Sequence, residues 1–375
     1  MFQSRLERLQ AELRRRDIQC LALIAGANLR YMTGLDFHLM ERPTVVFFPA
    51  EGDPVFAIPS LEVPRVQKAI NGGGLFEGPI YHYSDADGPD KAFEQAMMSL
   101  PEVERYAVEY LRMRVLELKL VQRHFPVAAM QDGGPIMDTL RLTKDSAEIE
   151  AMRKAIKISE AALQETIDWL QPDLTEKEIE AYLNIAQIQH GGGPLPFEAI
   201  VLIGDNAALP HGNPGDRKLN MGDEILFDFG TSYGGYISDI TRTFFFGQPP
   251  STKAREVYET VKAANEAGRK VAGPGVPCQE VDRAARKVIE QAGYGEYFIH
   301  RVGHGIGMEG HEGPYMREGN DQPLEVGMTF TVEPGIYIPG EVGVRIEDNM
   351  VVTQSGAESL TTFDRELCVI QPRNA

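Results

Sequence analysis

Cysteine, tryptophan and basic side chains are scarce in this 375-residue chain. Its three cysteines, Cys20, Cys278 and Cys368, form no CxxC pair and lie far apart, which argues against a disulfide framework and a thiolate zinc site. A reducing, cytoplasmic compartment fits that usage best. Lys and Arg number 37 against 55 Asp and Glu, a formal charge of -18. Phosphate-backbone binding relies on clustered cations, so nucleic acid is not an expected partner. Nowhere do eighteen apolar residues run together, and no membrane span is expected. The opening MFQSRLERLQAELRRRDIQ reads as a charged amphipathic helix, not as the basic tip and apolar core of a secretory signal.

What is present is an ordinary globular composition, 43% apolar and 25% charged, long enough for two domains. The first third alternates helix and strand signals. Leu6, Leu9 and Leu13 recur at helical spacing, followed by CLALIAG, PTVVFFPA, a turn at EGD, and PVFAIP. A turn-rich QDGGP at 131 to 135 precedes a long helix opened by a capping box, Asp145 with Glu148. The boundary therefore falls near 135 to 145, giving units 1–138 and 139–375. In the second unit Ile149, Met152, Ile156, Leu163, Ile167 and Leu170 form a helical core stripe, and Thr175 with Glu178 opens the next helix. Further helices are expected at about 253–271 and 279–291, the latter stopped by Gly293. With strand pairs between and after them, this unit is also mixed α and β.

The stretch ILFDFGTSYGGYISDITRT places Asp228 and Asp239 in the middle of apolar strands, where aspartate is depleted. Read as a hairpin turning at Tyr233, Gly234 and Gly235, it has two registers. A Tyr-Gly loop sets the two acids directly opposite, and a Gly-Gly loop slips them to a diagonal. Either way they share a face, within roughly 5 to 8 Å at Cβ. In MTFTVEPGIYIPGEVGVRIEDNMVV, a loop centred on Gly340 places Glu333 across from Glu347, with Arg345 on the same face. An unpaired buried carboxylate costs several kcal/mol. One arginine cannot neutralise four acids, whereas two divalent cations can, and oxygen-rich sites with few nitrogens suit such ions.

A nitrogen ligand is available in HRVGHGIGMEGHEGP, which holds His304 and His311 in a glycine-dense stretch read as a loop that passes close to a ligand. Its literal GxGxxG lacks the following helix that dinucleotide binding needs. His211, in AALPHGNPGD, lies in a turn-rich loop that is either solvated or substrate-facing.

Taken in order, PHG, DFG, SDITRT, GHGIG, VEPG and VRIED resemble the motifs of the pita-bread metallopeptidases, the prolidase, aminopeptidase P and creatinase group. NLRYMTG resembles that group's smaller N-terminal domain. The resemblance implies an α+β chain, with a small α/β domain of the creatinase/prolidase N-terminal type followed by a pita-bread catalytic domain. It implies that Asp228, Asp239, His304, Glu333 and Glu347 hold two divalent metal ions, manganese first, with cobalt, zinc or iron as alternatives. It gives Glu333 a proton-shuttling role, His211 and His311 substrate-facing roles, and Arg345 a place beside the centre, anchoring substrate or holding a ligand.

The expected reaction is hydrolysis of the bond between an N-terminal residue and proline, by a hydroxide bridging the two metals. Substrates would be Xaa-Pro dipeptides or peptides with proline second, and the usual assembly of the group is a homodimer. Two alternatives stay open: a hydrolase of another C–N bond on the same fold, and a binding protein of the fold without catalysis.

Overall fold

A computed structural model of the chain describes residues 2–125 and 130–372. The chain divides into two compact units, Met1–Arg141 and Leu142–Ala375. The first is built on a six-stranded sheet in the order Ile80–Tyr83, Val55–Pro59, Val45–Pro49, Cys20–Ile24, Tyr106–Val108, Met130–Asp132. Its four inner strands are buried along their whole length. That explains why CLALI and VVFFP read as unbroken apolar runs and do not alternate. The N-terminal helix Phe2–Arg15 turns Leu6, Leu9 and Leu13 into the core.

Two large hydrophobic clusters build the second unit. In one, helices Ser146–Trp169 and Glu176–Gln189 pack on a sheet ordered Val369–Ile370, Ile240–Phe246, Glu224–Phe229, Ile200–Ile203. In the other, helices Thr252–Val271 and Cys278–Gln291 pack on strands ordered Glu312–Met316, Gly303–Gly305, Thr329–Val332, Asp348–Thr353, Gly356–Ser359, and on a ribbon pairing Gly335–Ile338 with Val342–Arg345. Both capping boxes form, at Asp145 with Glu148 and at Thr175 with Glu178. Such a cap is worth about 1 kcal/mol and sets where each helix begins. Among the described residues, no helix is long and apolar enough to cross a membrane.

Two hairpins position the acids. Gly234 and Gly235, with φ of 60° and 90°, make the two-residue turn between Ser232–Tyr233 and Tyr236–Ile237, a shape that needs positive φ at both positions. The same register continues to Thr241 opposite Asp228, so Asp239 falls across from Gly230 and the two aspartates are diagonal neighbours. A Cβ on Gly230 would collide with the Ser238 carbonyl. In the second hairpin, Gly340 has φ 72°, and the pairs Val332↔Asp348 and Gly335↔Arg345 bracket Glu333 and Glu347, which lie opposite each other.

Two expectations are corrected. Asp228 alone of the four acids lies inside a strand. Asp239, Glu333 and Glu347 occupy breaks, before Ile240–Phe246, after Thr329–Val332 and before Asp348–Thr353 respectively. At these breaks the paired arms pass together from a two-stranded ribbon to a larger sheet, keeping one register. His304 is not on a loop but on the short strand Gly303–Gly305. Its flanking glycines serve the sheet: a Cβ at Gly303 or Gly305 would strike the Thr331 or Gly313 carbonyl of a neighbouring strand. No helix follows the GxGxxG, and the chain enters the strand Glu312–Met316 instead.

Candidate metal centre

The breaks bring Asp239, His304 and Glu347 together, one ligand atom of each lying within 4.8 Å of the others. His304 Nε2 is 3.2 Å from Glu333 Oε1 and 3.7 Å from Asp239 Oδ2. Asp239 and Glu347 are buried, as is His304. Asp228 and Glu333 keep 16% and 17% of their side-chain surface exposed.

Asp239, His304, Glu347 and Glu333 thus lie together, and Arg345 holds Asp228. That guanidinium donates from Nη2 to Asp228, from Nε to Thr241 Oγ1 at 3.1 Å, and from Nη1 to the Tyr337 hydroxyl at 2.8 Å. Each of its three nitrogens is engaged by the protein. Thr241 Oγ1 in turn donates to Glu347 Oε2 at 2.7 Å. His311 stands beside His304, ring centroids 4.1 Å apart. His211 is exposed in the turn after Gly204–Ala208.

Charge in this group is badly matched. Burial pushes the Asp239 carboxyl well above its usual range, and Asp228 and Glu333 push it further. Burial does the same to Glu347, reinforced by Asp239, Glu333 and Asp228. Asp228 is also raised by burial, against the pull of Arg345. Glu333 differs. Burial raises it too, but the hydrogen bond and charge of His304, with His300 and Arg345, outweigh burial and hold it at about 2. His311 is lowered to about 4 by burial, then by His304 and Arg301.

Two observations test whether a cation suits this group. Glu347 Oε1 is fully buried without a hydrogen-bond partner, although buried carboxylate oxygens are almost always satisfied. His304 Nδ1 lies 3.1 Å from the Gly305 carbonyl, which can only accept, so Nδ1 carries the proton. Its Nε2 is the ring nitrogen that faces the Glu333 and Asp239 carboxylates, and in the neutral imidazole it carries a lone pair that a cation can take. Acceptors facing acceptors are reconciled by a positive ion, and the oxygen-rich donor set with one imidazole fits divalent metals.

Sequence reasoning missed Thr241, Tyr337 and His300. His300 Nε2 is 2.9 Å from the Tyr337 hydroxyl, extending the chain that starts at Asp228. The only hint was position, since Thr241 lies in SDITRT and Tyr337 in the VEPGIYI run.

Comparison with known proteins agrees with this geometry. Residues 150–354 match the model of Metallopeptidase family M24, and residues 5–143 match the Creatinase/Prolidase N-terminal domain. An uncharacterized peptidase of Staphylococcus aureus strain MRSA252 is 34% identical over 362 residues, 96% of this chain and 100% of that protein. The solved dipeptidase PepE of Mycobacterium ulcerans superposes with a TM-score of 0.89 at 35% identity, covering 99% of this chain and 98% of its own. The recombinant prolidase of Thermococcus sibiricus gives 0.91 at 34% identity, covering 98% and 99%. With a creatinase/prolidase N-terminal domain ahead of a pita-bread catalytic domain, the chain belongs to metallopeptidase family M24.

Proposed function

We propose that the protein hydrolyses the peptide bond between an N-terminal residue and proline, in dipeptides or at the start of longer peptides. The observation that carries this reading is a buried, unpartnered oxygen on Glu347, a residue grouped with Asp239 and His304. The names of the solved relatives, a dipeptidase and a prolidase, support the substrate class.

Asp228, Asp239, His304, Glu333 and Glu347 would hold two divalent cations, manganese first. When bound, such ions lower the pKa of water to make a nucleophile near neutral pH and polarise the scissile carbonyl. Glu333 takes up the proton of the attacking water and returns it to the leaving proline nitrogen. His311 is neutral at pH 7 and half exposed, so it can donate an N–H to the oxygen on which negative charge develops. His211 offers a second donor from its turn. Arg345, buried and donating to Asp228, Thr241 and Tyr337, holds a ligand in place.

Hydrolysis of Gly-Pro and of a longer Xaa-Pro-Yaa peptide, with and without chelator, tests this. Turnover that chelator abolishes and added manganese restores is expected, and the ratio between substrates separates dipeptidase from aminopeptidase. Cleavage insensitive to chelator, or none on either substrate, would overturn the reading.

A further inference from the structure

Asp239, Glu333 and Glu347 sit where the ladders are interrupted, and a backbone freed from its ladder bonds ordinarily shifts. Here the N–H groups of Glu333 and Glu347 reach the Val302 and Thr241 carbonyls, and buried side-chain amides supply the further partners. Asn349, 0% exposed, faces Asp239. Its Oδ1 accepts from the Asp239 N–H at 3.2 Å, and its Nδ2 donates to the Asp239 carbonyl. Both backbone groups of that residue are thus held by one planar amide, as a neighbouring strand would hold them.

Asn265, also 0% exposed, reaches in from helix Thr252–Val271. Its Nδ2 donates to the carbonyls of Val332 at 3.0 Å and Ile346 at 3.2 Å, the residues immediately before Glu333 and Glu347. One NH2 group therefore ties together the two opposing arms just where each acid departs. Its own Oδ1 accepts from Arg269 Nε at 2.7 Å, which fixes the orientation of the amide.

We propose that Asn265 and Asn349 are positioning residues for metal binding, side-chain stand-ins for strand pairing that fix the spacing of Asp239, Glu333 and Glu347 before a cation arrives. Neither touches the cation or the substrate. The inference rests on the metal reading above. The physical point is preorganisation: a kink whose main chain is not held relaxes in the metal-free protein, and binding must then pull it back.

The test is a titration of chelator-treated protein with Co2+, read by visible absorbance, and with Mn2+, read by free-ion resonance. Asn265→Leu and Asn349→Leu keep the volume and remove the donors. Each is expected to weaken cation binding by on the order of tenfold or more. Asn349→Ser and Asn265→Ser are measured alongside in case a Leu variant does not fold. The comparison is Val257→Ala, a core residue of the same helix, which lowers the melting temperature without changing cation affinity. Asparagine variants with wild-type affinity, or Val257→Ala weakened as much as they are, would overturn this inference alone. A wild-type protein that binds neither ion would overturn the metal reading and this inference with it.

Discussion

Glu347 and Asp348 are adjacent acids with equal burial, 1% and 0% exposed, in surroundings of opposite character. Asp348 accepts from Arg242 Nη2 at 2.9 Å and from Arg365 Nε and Nη2 at 2.7 and 2.8 Å, with Arg269 Nε 3.4 Å away. Burial alone would raise its pKa, but those arginines bring it below the usual value. Glu347 has one hydroxyl, that of Thr241, and three acidic neighbours. The protein can thus saturate a buried carboxylate with cations of its own, and does so one residue away. Leaving Glu347 unmatched is the kind of local inconsistency that marks a functional site.

That contrast can be broken or sharpened in order of effect. Glu347→Gln or Asp239→Asn should lower Gly-Pro turnover by on the order of 10^3-fold or more, because several kcal/mol of metal catalysis go with the ligand, while circular dichroism stays native. Wild-type turnover in either variant would remove these acids from the centre. Asp348→Asn should leave cation binding in place but destabilise the fold by about 3 to 5 kcal/mol, since it leaves buried arginines without their partner. Denaturant melts that match wild type would contradict the pairing described.

Smaller, and opposite in sign, Glu347→Gln should stabilise the chelated protein by on the order of 1 kcal/mol through lost repulsion. A lower melting point would mean that Glu347 is already neutralised. The least effect is on pH dependence. Asp239 and Glu347 have raised carboxyls, so the folded state binds their protons more readily than the unfolded one, and stability falls as pH rises. Chelated protein should therefore melt higher as pH drops from neutrality towards the ordinary carboxylate value of about 4. Asp348, held low, contributes its stability throughout that range and loses it only below. A flat melting profile between these limits, with and without metal, would refute the imbalance.

Much of this was legible in the chain. The two facing pairs of acids, the central Gly340 turn and both capping boxes depend on residues close together in sequence, which local patterning captures. The choice between the Tyr-Gly and Gly-Gly registers was not, because both satisfy the alternation of side chains. The breaks at Asp239, Glu333 and Glu347 escaped notice because they mark where a paired ribbon leaves a larger sheet, and the other strands of that sheet are distant in sequence. Arg345 meeting Asp228 across 117 positions, and Asn265 reaching carbonyls 67 and 81 positions away, carry no sequence period at all.

Gly230 sets a limit on how this centre can vary. Its Cα hydrogen faces the Ser238 carbonyl, with no room for a methyl group. The gap between the two aspartates is thus governed by the thickness of bare main chain at that crossing. Tuning the pocket for a larger or smaller ion must come from side chains elsewhere, because the crossing itself admits no adjustment.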